Sequence, residues 1–411
     1  MNRIACRSCR RSQAEVFLNL GELPLANALI SPGQASLPEP RYPLACAFCS
    51  HCGLVQLTEE VAAEKLFRQY VYFSSFSDAM LEHSRTMSAE LIADRRLGPA
   101  SLVVEAASND GYLLQYYQRA GVPVLGIEPA VNIAAVARKR HGIETLSEFF
   151  THDFATQLRS QGHAADLFHA HNVLAHVPDP NGFVAGIREI LKETGVAVIE
   201  VPYVGDMIDR VEFDTIYHEH LCYFSLTALD HLFARNELQI ADVRRLPIHG
   251  GTLRLYATRS SAAGVGHRNR VEAMLADERR RGLTAAPYYA GFSRRVNHLK
   301  HDLTGLLQRL KGAGHRIAAY GASAKGATLL NYCGIGRETI DFIADRSSVK
   351  QGLLAPGNQI PILPPSALME RRPDYTLLLT WNFRDEILAQ QAPYREAGGK
   401  FIIPIPEPTI V

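Results

Sequence analysis

Four consecutive ionisable side chains could carry general acid/base chemistry: Tyr217, His218, Glu219 and His220. They follow a predicted strand, Val196 to Pro202, and therefore lie at the carboxyl edge of a sheet. A histidine can accept a proton near neutral pH, a carboxylate can orient it, and a phenol can stabilise an enolate. In an extended segment, His218 and His220 would share one side, and Tyr217 and Glu219 the other, although a turn would break this parity. A second metal site and a purely structural polar cluster are the alternative interpretations.

His176 lies in HNVLAHVPD, after the predicted strand Leu167 to Val173. Alone, it would be interpreted as a capping or packing residue. The carboxyl ends of parallel strands meet at one edge, where open α/β sheets bind ligands. Beside the four ionisable residues, His176 is therefore a candidate for contact with the substrate.

A third feature is the stretch over residues 101–130, which predicts a buried strand, a small polar loop, a helix and a second strand ending at Glu128. Backbone N–H groups of such a loop face the ligand, and a carboxylate at the next strand tip can bind both ribose hydroxyls. Dinucleotide enzymes need G-x-G-x-x-G for a pyrophosphate, whereas this loop keeps only Gly111. The acidic residues Glu105 and Asp110 suit a positively charged sulfonium. We therefore predict S-adenosylmethionine (SAM) rather than NAD, with an ordinary β-α-β core unit as the alternative.

Five of the seven cysteines precede residue 53. Two Cys-x2-Cys pairs can close one tetrahedral thiolate site, and the predicted zinc ligands are Cys6, Cys9, Cys49 and Cys52. Cys46 could replace Cys49, and disulfides are the alternative chemistry. Gly53 suits a knuckle that needs a left-handed residue after the last sulfur. Four protein ligands leave no position for water, so we expect a structural ion.

Bulk properties limit the class of protein. The chain has 411 residues, 47% hydrophobic, with a formal net charge of +1 and a pI near 7.7. Neither nucleic acid nor a membrane is an expected partner. The N-terminal residues lack the apolar core of a secretory signal, so we expect a cytoplasmic enzyme with reduced thiols.

The order of predicted elements divides the chain into residues 1–65, 66–260 and 261–411. A helix is predicted from Asp78 to Arg95. Alternating strands and helices, followed by an antiparallel pair, then predict an α/β fold with a class I SAM-methyltransferase Rossmann-like central domain. A small zinc-binding module precedes it, and a C-terminal Rossmann-like α/β domain follows. In that last domain, the loop from Gly321 to Gly326 ends a strand and starts a helix, which predicts an anion site supported by a lysine.

Short motifs along nearly the whole chain point in one direction: CRSC, LGELPLAN, CSHCGLVQL, YVYFSS, SNDGYLL, HNVLAHVPD, YHEHLCYFS, HGGTLRLY, YGASAKG, PGNQIPI and WNFRDEI. Together they resemble the three-domain SAM-dependent sugar C-methyltransferases, which act on nucleotide-linked 4-keto-6-deoxy sugars in deoxysugar biosynthesis. One departure is Ala107, where the family often has glycine. A methyl group is small, so the cofactor should still fit.

The resemblance implies roles for the matching residues. His220 would remove the proton beside the ketone, with Tyr217 and Glu219 positioning it or polarising the carbonyl. His176 and either Tyr70 or Tyr72 would contact the sugar. The remaining implied positions are Ser108, Asn109 and Gly111 at the SAM tail, Glu128 at its ribose, Asn172 beside it, and Ser323, Lys325 and Arg254 at the nucleotide diphosphate.

The implied reaction follows from carbon acidity. A carbon beside a ketone can lose a proton and become a nucleophile, and methyl transfer then needs reacting atoms about 3 to 3.5 Å apart. The expected partner is a nucleotide-diphosphate keto-sugar, and the expected assembly is a monomer or a weak homodimer. The nucleotide, the ring carbon and the stereochemistry stay open. An O- or N-methyltransferase, an NAD-dependent nucleotide-sugar oxidoreductase and a zinc-anchored binding module are the alternatives.

Overall fold

The computed structural model describes residues 4–67, 73–261 and 268–411, with the side chain of His249 left out. Tyr70 and Tyr72 therefore lie outside the described residues. Within the described ranges the backbone forms three β-sheets, one for each predicted part of the chain.

The N-terminal sheet is antiparallel and has the strand order β1-β2-β3-β9. Its first three strands are β1 (Ala14–Pro24), β2 (Arg41–Cys49) and β3 (Val55–Leu57). The turn between β2 and β3 contains Gly53 at φ +78°, which confirms the predicted left-handed knuckle. The fourth strand, β9 (Cys222–Tyr223), comes from the central part of the chain and pairs with β3. This sheet therefore contains residues from both sides of the predicted domain boundary at residue 65. The three domain limits stay a prediction.

The central sheet has seven strands in the order β10-β11-β8-β7-β4-β5-β6. Strands β4 to β8 pair in parallel, and β11 pairs antiparallel with both β8 and β10, which confirms the predicted final hairpin. Every residue of β4 is buried, as expected of a strand covered on both faces. The strands are β4 (Val103–Ala106), β5 (Val124–Ile127), β6 (Thr145–Leu146), β7 (Ala165–His171), β8 (Leu191–Pro202), β10 (Leu238–Leu246) and β11 (Thr252–Arg259).

Helices cover this sheet on both faces. The helix predicted from Asp78 to Arg95 has those bounds, and the Ser77 hydroxyl caps it by accepting from the Met80 N–H at 3.3 Å. The helices are α1 (Ala63–Phe67), α2 (Asp78–Arg95), α3 (Leu114–Arg119), α4 (Val131–His141), α5 (His152–Ser160), α6 (Pro180–Ile190), α7 (Val204–Asp209) and α8 (Leu226–Arg235). Short 3-10 helices lie at Pro32–Gln34, Ser74–Phe76, Leu174–His176, Phe213–Thr215, Ile248–Gly250 and Trp381–Phe383.

The C-terminal sheet is parallel apart from its last strand and has the order β14-β13-β12-β15-β16-β17. Its strands are β12 (Ile317–Tyr320), β13 (Ile343–Ala344), β14 (Ile362–Leu363), β15 (Tyr375–Leu378), β16 (Lys400–Ile403) and β17 (Thr409–Ile410). Its helices, with those that lead into it, are α9 (Arg268–Arg281), α10 (Pro287–Ala290), α11 (Phe292–Gly312), α12 (Ala324–Cys333), α13 (Ala367–Arg371), α14 (Arg384–Gln390) and α15 (Ala392–Glu396). None of the helices in the described ranges is long and apolar enough to cross a membrane.

Candidate active site

A cavity of about 420 Å³ lies where the three parts of the chain meet. Its walls come from the loops after β4 and β7, from the segment that precedes β9, and from the N-terminus of α12. The zinc module contributes Asn27 and Ala63. Because all three parts line one space, a ligand held by one sheet can meet side chains held by another.

At the central end, the loop after β4 turns tightly toward the tip of β5. Ala107 and Asn109 have φ of +54° and +50°, and Asn172 after β7 has +53°. The left-handed conformation at Ala107 explains why glycine suits this position. Glu128 accepts hydrogen bonds from the backbone N–H of Asn109 at 2.9 Å and of Ala130 at 2.8 Å. Burial raises the pKa of Glu128 to about 7, although these two bonds oppose the shift.

Three residues predicted to bind SAM do not line the cavity: Glu105 in β4, and Ser108 and Gly111 in the loop itself. Ser108 packs against β5, where a Cβ on Gly126 would lie 2.6 Å from its Oγ. Gly111 has φ +81° and fits closely against Ile143. Glu105 is fully buried in β4, and burial, with the charges of neighbouring acids, raises its pKa well above the usual range. Asn109, Glu128 and Asn172, by contrast, line the cavity.

The acid/base segment is a turn, so the extended parity predicted for it is wrong. The Tyr217 hydroxyl and His220 Nε2 lie 2.8 Å apart, and His220 Nδ1 lies 2.9 Å from the Thr215 carbonyl oxygen. A carbonyl only accepts, so Nδ1 carries the proton and Nε2 keeps its lone pair. Tyr217, His220 and Thr215 all line the cavity.

His176 also lines the cavity, beside His220. Their ring centroids are 4.7 Å apart in an edge-to-face arrangement. Burial lowers the pKa of His176 to about 4, so its ring is neutral at physiological pH. Phe67 and Phe73, which flank the undescribed segment containing Tyr70 and Tyr72, line the same space.

The other two members of the acid/base segment face the zinc module. His218 Nε2 donates to the Tyr42 carbonyl oxygen at 3.1 Å, and burial lowers the pKa of His218. Glu219 is 2% exposed and accepts from Asn27 Nδ2 at 2.7 Å. Neither residue lines the cavity, so a direct effect of Glu219 on the substrate has no support in this geometry.

The end of the cavity that belongs to the C-terminal domain is lined by the first residues of α12. Ser323 caps this helix by accepting from the Gly326 N–H at 3.0 Å, and Lys325 Nζ lies 4.7 Å from the centre of the Trp381 ring. Lys350 is buried, lines the cavity and donates to the Ala322 carbonyl oxygen at 2.8 Å. Sequence reasoning missed Lys350, because no motif marks it and only the fold returns its loop to α12.

Arg254 does not reach this end of the cavity. It lies in β11 and is 4% exposed, and its Nε donates to Glu200 Oε1 in β8 at 2.6 Å. Its Nη2 lies 3.0 Å from His83 Nε2 in α2. The expectation that Arg254 holds a diphosphate is therefore corrected: its charge is used inside the central domain.

The cysteine cluster fits a structural zinc ion. The Sγ atoms of Cys6, Cys9, Cys49 and Cys52 all lie within 4.8 Å of one another. Sγ atoms of Cys6 and Cys52 are 3.5 Å apart, and those of Cys9 and Cys49 are 3.6 Å apart. Tetrahedral Zn–S bonds of 2.3 Å place sulfurs about 3.8 Å apart. Cys46 is not in this group, because β2 directs it into the core.

Three family models match the chain: a zinc binding domain over residues 6–67, a methyltransferase domain over 80–243 and a C-methyltransferase C-terminal domain over 247–406. The C-methyltransferase NovU of Streptomyces niveus is 34% identical over 406 residues, covering 99% of this chain and 96% of NovU. Among solved structures, magnesium protoporphyrin IX methyltransferase from Synechocystis with bound SAH is 16% identical, covering 44% of this chain and 83% of that one, with a TM-score of 0.35. A SAM-dependent methyltransferase from Clostridium acetobutylicum is 10% identical over 44% of this chain and 92% of that one, with a TM-score of 0.36.

The matching methyltransferase domain, with the loop after β4 and the carboxylate at the tip of β5, defines a SAM-dependent methyltransferase. The full-length match shows further that the chain belongs to the C-methyltransferase family, with a zinc-binding module at its N-terminus.

Proposed function

We propose that the protein methylates the carbon beside the ketone of a nucleotide-linked 4-keto-deoxy sugar. The observation that carries this proposal is the orientation of His220. The Thr215 carbonyl fixes the proton on Nδ1, so that the lone pair of the ring is on Nε2, at the cavity wall beside the Tyr217 hydroxyl. A carbon beside a ketone needs such a base, because it has no lone pair for the methyl group until its proton is removed.

In the proposed reaction, the Tyr217 O–H turns away from His220 Nε2 toward the ketone oxygen, and Nε2 removes the proton from the carbon beside that ketone and leaves an enolate. Its imidazolium then donates through Nε2 toward the Tyr217 oxygen, because Nδ1 stays bonded to Thr215. SAM, when bound, supplies an electrophilic methyl group. Asn109, Glu128 and Asn172 would hold it at the central end of the cavity.

His176 would serve this chemistry as a neutral group. Its pKa of about 4 keeps it unprotonated near neutral pH, so it does not repel the imidazolium that forms on His220. The aromatic rings of Phe67 and Phe73 line the cavity and would exclude water from the enolate.

The nucleotide would occupy the end of the cavity formed by the C-terminal domain. Two lysine side chains, Lys325 and Lys350, line it beside the N-terminus of α12. An ammonium group and a helix N-terminus both favour anions, and a diphosphate offers two negative groups. Ser323 lies at the cap of the same helix.

The experiment is a transfer assay with methyl-labelled SAM and a panel of dTDP-, GDP- and CDP-linked 4-keto-6-deoxy sugars. We expect label on a carbon that also exchanges its proton with D₂O when SAM is left out. His220→Asn should lower both methyl transfer and exchange by roughly 10²- to 10⁴-fold while leaving the Kd for SAM unchanged.

His218→Asn is the matched control, because this neighbouring ring faces Tyr42 and not the cavity. It should keep the rate of proton exchange. Label on oxygen or nitrogen, or full exchange by His220→Asn, would contradict the proposal.

A further inference from the structure

Asn27 is the polar residue among those that the zinc module contributes to the cavity lining, the others being Ala63 and Phe67. It lies in the turn after β1 and is partly exposed, whereas Glu219 behind it is 2% exposed and does not line the cavity. The polar group that a substrate can reach is therefore the amide of Asn27 rather than the carboxylate of Glu219.

Glu219 fixes the orientation of this amide. In the 2.7 Å contact, Asn27 Nδ2 donates and Glu219 Oε1 accepts. The amide nitrogen must therefore face Glu219. The Asn27 carbonyl oxygen and second N–H keep a fixed direction, because the carboxylate holds the group at one end.

The turn that carries Asn27 is anchored on both sides. Before it, β1 belongs to the zinc-module sheet. After it, Ile30 forms an antiparallel bridge with Leu354 of the C-terminal domain, with N–H to carbonyl distances of 2.9 and 2.8 Å. Glu219 is also held close to the zinc-module sheet. Two residues after it, the Leu221 carbonyl oxygen accepts a hydrogen bond from the Leu57 N–H of β3 at 2.9 Å.

We infer that Asn27 is a substrate-binding residue, supplied by the zinc module and oriented by Glu219, that hydrogen-bonds the keto-sugar in the cavity. This inference rests on the proposed function. An amide with both a donor and an acceptor matches a carbonyl or hydroxyl group of a sugar. The zinc module is then part of the active site, although its metal takes no part in the chemistry.

The test is a double-mutant cycle on the full-length, zinc-loaded protein, with Asn27→Ala, Glu219→Ala and the double variant. Loss of a hydrogen bond to a polar substrate should lower kcat/KM for the keto-sugar by roughly tenfold to hundredfold in Asn27→Ala. The Kd for SAM and the zinc content should stay unchanged. In the Glu219→Ala background, Asn27→Ala should have little further effect, because the amide has already lost its orientation.

Asn19→Ala is the matched control, since Asn19 lies in the same module, is exposed and bonds only its local Gly21 N–H at 2.8 Å among the described contacts. Equal kinetics for Asn27→Ala and Asn19→Ala would overturn the inference. The inference would also be overturned if the losses in kcat/KM of the two single variants multiplied in the double variant. A fall in the thermal stability and SAM affinity of Asn27→Ala that matched its loss of kcat/KM would overturn it as well. An inactive wild type on every keto-sugar would instead count against the proposed function itself.

Discussion

The affinity for SAM should depend on pH through Glu128. This carboxylate lines the cavity at the tip of β5, and its pKa is raised to about 7 by burial. Ribose hydroxyls donate to the ionised form, so binding selects the carboxylate. As the pH falls through 7, the free protein becomes protonated at Glu128, and this proton must be lost before SAM binds.

The magnitude follows from this linkage. Below the pKa, the affinity should fall about tenfold per pH unit, and at pH 5.5 it should be roughly 30-fold weaker than above pH 8. Isothermal titration calorimetry between pH 5.5 and 8.5 measures the change, with circular dichroism as a check that the protein stays folded.

Glu128→Gln should bind SAM weakly and with little pH dependence, because the new NH₂ group faces a backbone N–H of Asn109 or Ala130. The matched control is Glu212→Gln. Burial also raises the pKa of Glu212, to about 8, but this residue does not line the cavity, so the slope should remain. A flat wild-type profile, or a slope that survives Glu128→Gln, would refute the assignment.

Two further predictions concern the modules around the cavity. The Cys49→Ala variant should lose the zinc ion and have a lower melting temperature, because one of the four ligands is missing. The Cys46→Ala variant should keep one zinc per chain, as measured by atomic absorption. Loss of zinc from Cys46→Ala would contradict the ligand set. Gly111→Ala should lower the free energy of unfolding by about 1 to 3 kcal/mol more than Gly121→Ala in urea titrations. Both positions have φ near +80°, so the backbone strain of an alanine is similar at each. Only the new methyl at Gly111 would meet a neighbour, the Ile143 side chain at 2.7 Å. Equal losses of stability in the two variants would contradict this prediction.

Local patterns predicted most of the fold. Val103–Ala106 and Val124–Ile127 are apolar runs bounded by turn residues, and helix α2 carries its own cap at Ser77, so their signals lie within a few adjacent residues. Cys-x2-Cys spacing predicted the four zinc ligands but left Cys46 as an alternative to Cys49, and the positions of the Sγ atoms decide for Cys49.

Contacts between residues that are far apart in the sequence could not be predicted from local patterns. Nothing near Arg254 indicates its partner, since Glu200 is 54 residues away and is brought beside it by strand pairing. The alternation of side chains in an extended strand predicted that Glu219 and Tyr217 share one face. The segment forms a turn instead, so the two side chains point to different sides. The motif LGELPLAN contains Asn27, yet its position on the cavity depends on how the first sheet meets the central one.

The segment from Asp214 to Tyr223 contacts both of the modules that flank the central domain. At its start, buried Asp214 accepts from the Trp381 indole N–H of the C-terminal domain at 2.7 Å. At its end, Cys222–Tyr223 is a strand of the zinc-module sheet. His220 lies between these two anchors, bonded to the Thr215 carbonyl next to Asp214. In the proposed reaction, a base held only by a loop would sample many directions, whereas the segment that carries His220 is fixed at both ends by neighbouring modules, which would favour a reactive geometry.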